Sequence, residues 1–202
     1  PGQNISREDK FTKNKKDDRI RFVYVGRITK IKGLHTLLHA LKKIGNKRWS
    51  LDIYGQVGEE DYYLECCNII RYTNGDINWK GIIPPKAVVT TLMKYDVLIV
   101  PTIIQEMVGL VVQEAFSAGI PVIGSDVEGI VEQVTDNLDG LLFKNGDSES
   151  LRRILTDVIV DVSLIPRLAS NIKAPRLFLE VATETLKVYK VVFERRRLSM
   201  EI

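Results

Sequence analysis

The sequence predicts an α/β fold, an open parallel sheet of about six strands flanked by helices, and two observations predict it. Apolar runs of strand length alternate along the chain with stretches of helical periodicity. Several of these runs are almost continuously apolar, as in strands of a parallel sheet that are covered on both faces. Alternation of strand and helix is typical of an open sheet whose strands are joined by right-handed crossovers.

The predicted elements follow one another from residue 20 to residue 160. Strands are predicted at residues 20–26, 50–55, 96–102 and 120–125, with weaker ones at 76–81 and 140–144. Helices are predicted at about residues 33–44, 59–72, 85–94, 109–118 and 148–160.

A further helix is predicted at about residues 175–196. It carries an apolar stripe at helical spacing, formed by Phe178, Ala182, Leu186, Tyr189 and Phe193. We expect this helix to pack on its own sheet, and a partner-binding helix is the alternative.

The chain of 202 residues fits one domain, at residues 19–202, preceded by a polar, lysine-rich linker or arm at residues 1–18. Pro1 in place of an initiator methionine predicts a piece of a longer protein. The two cysteines, Cys66 and Cys67, are adjacent and therefore poorly placed to stabilise the fold through a disulfide bond, which predicts a reducing, cytoplasmic location. No apolar stretch reaches the roughly 20 residues of a membrane helix, and no signal peptide is recognisable.

Charge is distributed unevenly along the chain. Residues 1–50 carry fourteen Lys and Arg against four Asp and Glu, whereas the remainder carries fifteen against twenty-two. A basic first quarter is expected to face an anion. Nucleic acid, a phosphorylated small molecule and the acidic inner face of a membrane are three candidates at this point.

Ligands of an open parallel sheet bind at the carboxyl ends of its strands. The loops after residues 25, 54, 80, 101 and 124 are therefore the places to look for a site. Each of these loops contains glycine or proline, which lets the backbone turn sharply or approach a ligand closely. They are Gly26, Gly55 with Gly58, Gly81, Pro101 and Gly124.

The segment "GRITKIKG", residues 26–33, follows the first strand and leads into a helix. Glycines at such a turn and the free N–H groups of a helix start favour phosphate binding. Arg27 adds a two-pronged planar donor and Lys32 a point charge, so that together they could neutralise a diphosphate. The alternative is that both are solvated surface charges.

Two carboxylates, Glu106 and Glu114, flank Gly109 near the start of the helix predicted at residues 109–118. The amides of Gly109, Leu110 and Val111 would point at a pocket and bind an anionic phosphate. Glu106 could accept hydrogen bonds from sugar hydroxyls, and Glu114 two from a ribose diol. As alternatives, Glu106 is a favourable first-turn acid and Glu114 a surface residue.

Other site signatures are absent from the sequence. Neither GxxxxGK[ST] nor GxGxxG occurs, which argues against a P-loop and against a nicotinamide dehydrogenase. No DxD pair occurs, and His35 and His39 share zinc spacing without a third ligand, so no metal site is predicted.

Six segments occur in the order and spacing of the donor-binding, carboxy-terminal half of GT-B glycosyltransferases. They are "GRITKIKG", "DIYGQVGEE", "INWKGII", "YDVLIVPT", "QEMVGLVVQEAFSAGIPVIGSDVEGIVEQV" and "GLLFKNGD". The chain resembles the large retaining family numbered 4 and called group 1, over about residues 1–150 and loosely through the terminal helix. The resemblance implies a Rossmann-like sheet, one half of a GT-B fold.

The resemblance also implies roles for individual residues. Arg27 and Lys32 would contact the diphosphate and stabilise the departing nucleotide, and Glu106 would hold hydroxyls of the transferred sugar. These three are the implied catalytic residues. The implied donor-binding residues are Gly26, Gly55, Gly81, Ile82, Gly109, Leu110, Val111 and Glu114.

Within the donor-binding set, Glu114 would bind the ribose, and the loop at Gly81 and Ile82 would border the base. The chain departs from the family at Met107-Val108, which would line the sugar pocket, at Glu128 and at Ile31. None of these departures removes a contact named above, but Met107 and Val108 leave the identity of the sugar open.

The implied function is transfer of a hexose from a nucleotide-diphosphate sugar, UDP or GDP first, with retention and without a metal or other cofactor. The acceptor domain would precede this chain, so the isolated chain is expected to bind donor and to transfer poorly or not at all. A non-catalytic sugar-nucleotide-binding module is the closest alternative. A basic nucleic-acid-binding domain is a less favoured one, and no nucleic acid partner is expected.

Overall fold

The computed structural model describes residues 19–45, 48–105, 109–173 and 178–198. The strands are β1 (Ile20–Val25), β2 (Trp49–Tyr54), β3 (Asp76–Gly81), β4 (Val97–Val100), β5 (Val122–Ser125) and β6 (Gly140–Phe143). The helices are α1 (Leu34–Lys42), α2 (Glu60–Arg71), α3 (Val88–Leu92), α4 (Leu110–Ser117), α5 (Ser148–Val160), α6 (Leu164–Asn171) and α7 (Phe178–Leu198).

All six strands are parallel and form one sheet in the order β3-β2-β1-β4-β5-β6. The predicted fold class, a Rossmann-like open parallel sheet of six strands flanked by helices, is therefore confirmed. The predicted arm at residues 1–18 lies outside the described residues.

Two helical segments differ from the prediction, and each has a proline in its first turn. The helix predicted at residues 85–94 is a 3-10 turn, Pro85–Ala87, followed by the short α3. No element was predicted between residues 161 and 174, yet α6 lies there with Pro166 at its third position. Proline is tolerated in the first turn of a helix because no intrahelical bond needs its amide.

The apolar core lies on both faces of the central strands. On β1, Phe22 and Tyr24 belong to a cluster with α1, α2 and α5, whereas Val23 belongs to a second cluster with α3 and α4. This double burial accounts for the continuous apolar run predicted as β1.

The β2–β3 edge of the sheet is covered on one face only. Along β2, Trp49, Leu51 and Ile53 are buried, while the alternate positions are half-buried. One of these, Asp52, accepts hydrogen bonds from the Tyr95 hydroxyl (2.7 Å) and the Asn78 amide (3.2 Å). Polar pairing thus replaces a covering helix at this edge.

The terminal helix α7 confirms the predicted span to within a few residues but not the predicted packing. Leu186, Tyr189 and Phe193 are 59%, 58% and 71% exposed. The expectation that this stripe packs on its own sheet is therefore wrong for these three residues, because no described element covers them. In the described part of the chain, no helix combines the length and apolar composition that crossing a membrane requires.

Hydrogen bonds tie the loops that follow β1, β4 and β5 to one another. The Ile31 carbonyl accepts from the Ile103 amide (2.9 Å) and from the Thr102 hydroxyl (3.2 Å). The Thr102 carbonyl in turn accepts from the Ser125 hydroxyl (2.5 Å). The carboxyl edge of the sheet is therefore a connected surface rather than a set of independent loops.

At Gly33 the loop after β1 lies directly against the loop after β4. Its φ of +68° lies in the left-handed region, and a Cβ there would lie 1.8 Å from the Pro101 carbonyl oxygen. Gly33→Ala is therefore expected to lower the free energy of unfolding by about 2–5 kcal/mol, through backbone strain and overpacking together. Urea-induced unfolding followed by circular dichroism would measure the loss.

Gly45→Ala is the matched control for Gly33→Ala. A Cβ at Gly45 would meet no heavy atom of the described residues within 4 Å, and this glycine has no left-handed φ. Its change in stability should stay within about 0.5 kcal/mol, as for an ordinary surface substitution. Equal stability of the two variants would contradict the packing described here.

Candidate functional site

A cavity of about 300 Å³ opens at the carboxyl edge of the sheet, between β1 and β4. These adjacent strands are where the strand order reverses, since the chain runs outward to β3 on one side and to β6 on the other. Ligands of open α/β sheets bind at such a switch point. Among the described residues, the lining consists of Tyr24, Val25, Gly26, Arg27, Lys32, Ile99, Val100, Pro101, Thr102, Gly109, Leu110, Val111 and Ile130.

Six of the residues predicted from the sequence meet in this cavity. They are Gly26, Arg27, Lys32, Gly109, Leu110 and Val111. Two cationic side chains and the amino terminus of a helix therefore line the same cavity, although they lie some 80 residues apart in the sequence. An anion between them would be met from both sides.

The loop after β1 is held in place by its own backbone and by its neighbours. The Gly26 amide donates to the Tyr54 carbonyl at 3.0 Å, which continues the β1–β2 ladder past the strand end. The Tyr24 hydroxyl donates to the Arg27 carbonyl at 3.0 Å. Beyond it, a 3-10 turn spans Lys30–Lys32 and delivers Lys32 to the cavity.

Gly55 and Gly81 continue this edge outward along the sheet. The Gly55 amide donates to the Gly81 carbonyl at 2.8 Å. A Cβ at Gly55 would lie 1.8 Å from the Gly26 carbonyl oxygen, so Gly55 is what lets the second loop lie against the first. Gly81 has a φ of +77°, and the next residue, Ile82, is 67% exposed. Both stand at the end of β3, two strands from β1.

Helix α4 begins at the cavity with Gly109 as its N-cap. The amides of Leu110 and Val111 are in the first turn, where no intrahelical carbonyl is available to them. The helix ends in a Schellman motif, in which Ile120 N–H donates to the Ala115 carbonyl (3.0 Å) beyond Gly119, whose φ is +70°. The predicted stop at Gly119 is confirmed, and the positive end of the helix dipole faces the cavity.

Glu114 lies one turn into α4, four residues after Leu110 and so on the same side of the helix. It is half-buried, and desolvation by burial raises the pKa of its carboxyl above the ordinary value. No described residue donates a hydrogen bond to this carboxylate. The carboxylate is therefore a hydrogen-bond acceptor that has lost part of its hydration. Glu114 is not among the described residues that line the cavity.

Glu106, Met107 and Val108 lie outside the described residues. The predicted contact of Glu106 with sugar hydroxyls, and the predicted place of the other two in the sugar pocket, therefore stay predictions. The described chain resumes at Gly109, directly beside the cavity.

Other titratable groups have structural partners away from the cavity. His35 pairs with the Tyr62 hydroxyl through both its amide (2.9 Å) and its Nδ1 (2.8 Å), and burial lowers the pKa of its ring. This pair joins α1 to α2. Burial likewise raises the pKa of the Cys66 thiol to about 12. Among the described residues, no three His, Cys, Asp or Glu side chains cluster as metal ligands would.

Several lining residues were not predicted from the sequence. Tyr24, Val25 and Ile130 look like ordinary core residues, and only the fold shows that they border the cavity. Pro101 and Thr102 stand in a loop that the sequence did single out. The strand-end position of Tyr24, two residues before Gly26, was the one available signal.

Solved structures share this architecture. The chain matches the Anabaena protein Alr3699/HepE, crystallised in complex with UDP and glucose, at 25% identity and a TM-score of 0.71, over 78% of this chain and 43% of that one. It also matches the C-terminal domain of the group 1 glycosyl transferase LpcC from Francisella tularensis, with a TM-score of 0.68. That match, at 22% identity, covers 85% of this chain and 90% of the other, and shows the fold.

Sequence comparison agrees with the structural match. An uncharacterized glycosyltransferase of Methanocaldococcus jannaschii, MJ1607, is 27% identical over 200 residues, which are 95% of this chain and 51% of the relative. The chain thus spans about half the length of this relative. The family model described as glycosyl transferases group 1 matches residues 5–174, and the chain therefore belongs to the group 1 glycosyl transferases.

Proposed function

We propose that this chain is the donor-binding half of a retaining, family 4 glycosyltransferase that transfers a hexose from a nucleotide-diphosphate sugar. The observation that carries the proposal is the cavity in which Arg27 and Lys32 stand with the amino terminus of α4. Cations and unpaired helix amides are the groups that bind phosphate oxygens.

Bond cleavage between the sugar carbon and the phosphate oxygen leaves negative charge on the diphosphate and oxocarbenium character on the sugar. Groups fixed in advance around the leaving phosphate stabilise this charge separation, and losing one such donor costs about 3 kcal/mol or more. In this chain Arg27, Lys32 and the amides of Leu110 and Val111 would do so, without a metal or other cofactor. Glu106 would hold hydroxyls of the sugar.

The nucleoside would extend from the diphosphate along the edge formed by the strand ends. Glu114 would accept hydrogen bonds from the two ribose hydroxyls, and this role is supported by the absence of any described residue that donates to its carboxylate. The base would lie toward Gly81 and the exposed Ile82. The UDP found with the Anabaena protein makes UDP the first nucleotide to test, and GDP the second.

A second domain would supply the acceptor site. The length of the M. jannaschii relative, about twice that of this chain, supports such a domain. The apolar side chains that α7 exposes, Leu186, Tyr189 and Phe193, support a surface that another part of the protein covers.

We propose a cytoplasmic location, with acidic lipid at the inner membrane face as a peripheral contact of the basic first quarter.

Charge-neutralising variants test the phosphate site. Arg27→Ala and Lys32→Ala should each weaken UDP binding roughly tenfold or more, because a charge-assisted hydrogen bond contributes about 1.5–3 kcal/mol. Isothermal titration of the chain with UDP, GDP and ADP would measure this and show the base preference. Steeply salt-dependent binding to any polyanion, without base preference, would favour the nucleic-acid alternative.

Lys30→Ala is the matched control, since Lys30 belongs to the same loop but not to the described cavity lining. Its effect on UDP affinity should stay below about threefold, as for a rim charge that only alters the general field. Millimolar binding of all nucleotides, unchanged by Arg27→Ala or Lys32→Ala, would defeat the proposed site. Absence of transfer by the whole protein, with donor binding intact, would favour the non-catalytic module.

Glu114→Gln should weaken UDP binding and yet stabilise the free chain at neutral pH. Burial raises the pKa of Glu114 in the folded state, so ionisation opposes folding. This destabilisation is absent below the unfolded-state pKa of about 4.3, grows as the pH rises through the folded-state value, and is complete above it. The stability difference between Glu114→Gln and the parent should therefore grow from acidic to neutral pH.

Thermal unfolding from about pH 4 to pH 7 would measure the difference, alongside UDP titration at pH 7. Glu132→Gln, an exposed acid beyond β5, is the control and should change neither quantity. If Glu114→Gln bound UDP as tightly as the parent chain, the proposed contact between this carboxylate and the ribose would be wrong.

A further inference from the structure

The loop after β2 lies directly on the phosphate loop after β1. The Ile28 amide donates to the Gln56 carbonyl (2.9 Å), and the Ile28 carbonyl accepts from the amides of Gly58 (3.1 Å) and Glu59 (3.2 Å). Ile28 and Val57 form a parallel bridge beyond the ends of the two strands. The second loop is thus fixed relative to the first by backbone bonds on both sides of Ile28.

Gly58 occupies the place in this second loop where a side chain would meet Arg27. A Cβ at Gly58 would lie 3.2 Å from Nη2 and 3.6 Å from Nε of Arg27, and 2.6 Å from Cγ2 of Thr29. Gly58 has no left-handed φ, so its backbone conformation does not require glycine. What the glycine supplies here is space beside both the Thr29 methyl group and the guanidinium.

The main chain of Arg27 is held from the opposite direction. Its carbonyl accepts the Tyr24 hydroxyl at 3.0 Å and the Thr29 amide at 3.1 Å. The backbone of Arg27 is therefore anchored to β1, while its guanidinium rests against Gly58 and lines the cavity. Arg27 is an exposed residue, so the space that its neighbours leave, Gly58 among them, limits where the guanidinium can lie.

We infer that Gly58 is a positioning residue for Arg27, and that the gap it leaves orients the guanidinium toward the donor diphosphate. This rests on the proposed function, because it needs a diphosphate in the cavity. Gly58 touches no part of the substrate in this account; it acts only through Arg27. Its effect must therefore depend on the phosphates of the ligand and on the presence of the arginine.

The test is a double-mutant cycle of Gly58→Ala with Arg27→Ala, with UDP and uridine as ligands. Gly58→Ala alone should weaken UDP binding about three- to tenfold, by partial loss of a charge-assisted contact, and should leave uridine binding unchanged. In the Arg27→Ala chain, Gly58→Ala should cause no further loss. Gly45→Ala, whose Cβ would meet no atom in the part of the chain that the structure describes, is the control and should leave both affinities as they are.

Two results would overturn the inference while leaving the proposed function in place. One is an equal loss on Gly58→Ala with and without Arg27, and the other is an equal loss for UDP and uridine, as general loosening would cause. A parent chain that does not bind UDP, or binds it without need of Arg27, would defeat the proposed function and the inference with it.

A second variant distinguishes a folding defect in Gly58→Ala from an effect on the position of Arg27. Thr29→Ser removes Cγ2, the atom that the new Cβ would approach to 2.6 Å, and leaves the approach to the guanidinium. Gly58→Ala combined with Thr29→Ser should regain the thermal stability of Thr29→Ser alone while keeping the UDP-specific loss. If this double variant regained full UDP affinity, Gly58→Ala would act through its clash with Thr29 and not through Arg27, and the inference would be overturned.

Discussion

Contact between backbones at the carboxyl edge of the sheet is the constraint on which the site depends. Gly33 meets the Pro101 carbonyl and Gly55 meets the Gly26 carbonyl, each at a distance that admits no side chain. The loops after β1, β2 and β4 therefore lie closer together than side-chain packing would allow. Because of this, cationic side chains from one loop and helix amides from another face a common cavity.

The same edge contains features that oppose stability. Glu114 is half-buried with no donor among the residues that the structure describes, and Leu110 is 67% exposed at the start of α4. Such features are expected where a ligand supplies the missing partner, since sites of binding commonly depart from what would be most stable. The two core clusters, by contrast, consist of buried apolar side chains.

The sheet is also unequal between its two halves. Its centre is covered by helices on both faces, whereas one face of the β2–β3 edge carries the half-buried Asp52 and Asn78 in place of a covering helix. The loops proposed to bind phosphate follow β1 and β4, the two central strands of the sheet. The region proposed for the base lies at the less covered edge, where Ile82 is exposed and could adapt to a ligand.

Much of the fold followed from sequence alone, because strand and helix periodicity, glycine at strand ends and the Gly119 stop are local properties. That Arg27, Lys32 and Gly109 are candidate site residues was recognisable for the same reason, since their motifs are contiguous, and all three line the cavity. Tertiary structure alone decided that Tyr24 and Gly58 lie against Arg27, that α6 includes Pro166, and that Leu186, Tyr189 and Phe193 of α7 are exposed. Each of these depends on which distant segments come into contact, and that is set by packing across the sheet rather than by the spacing of residues along the chain.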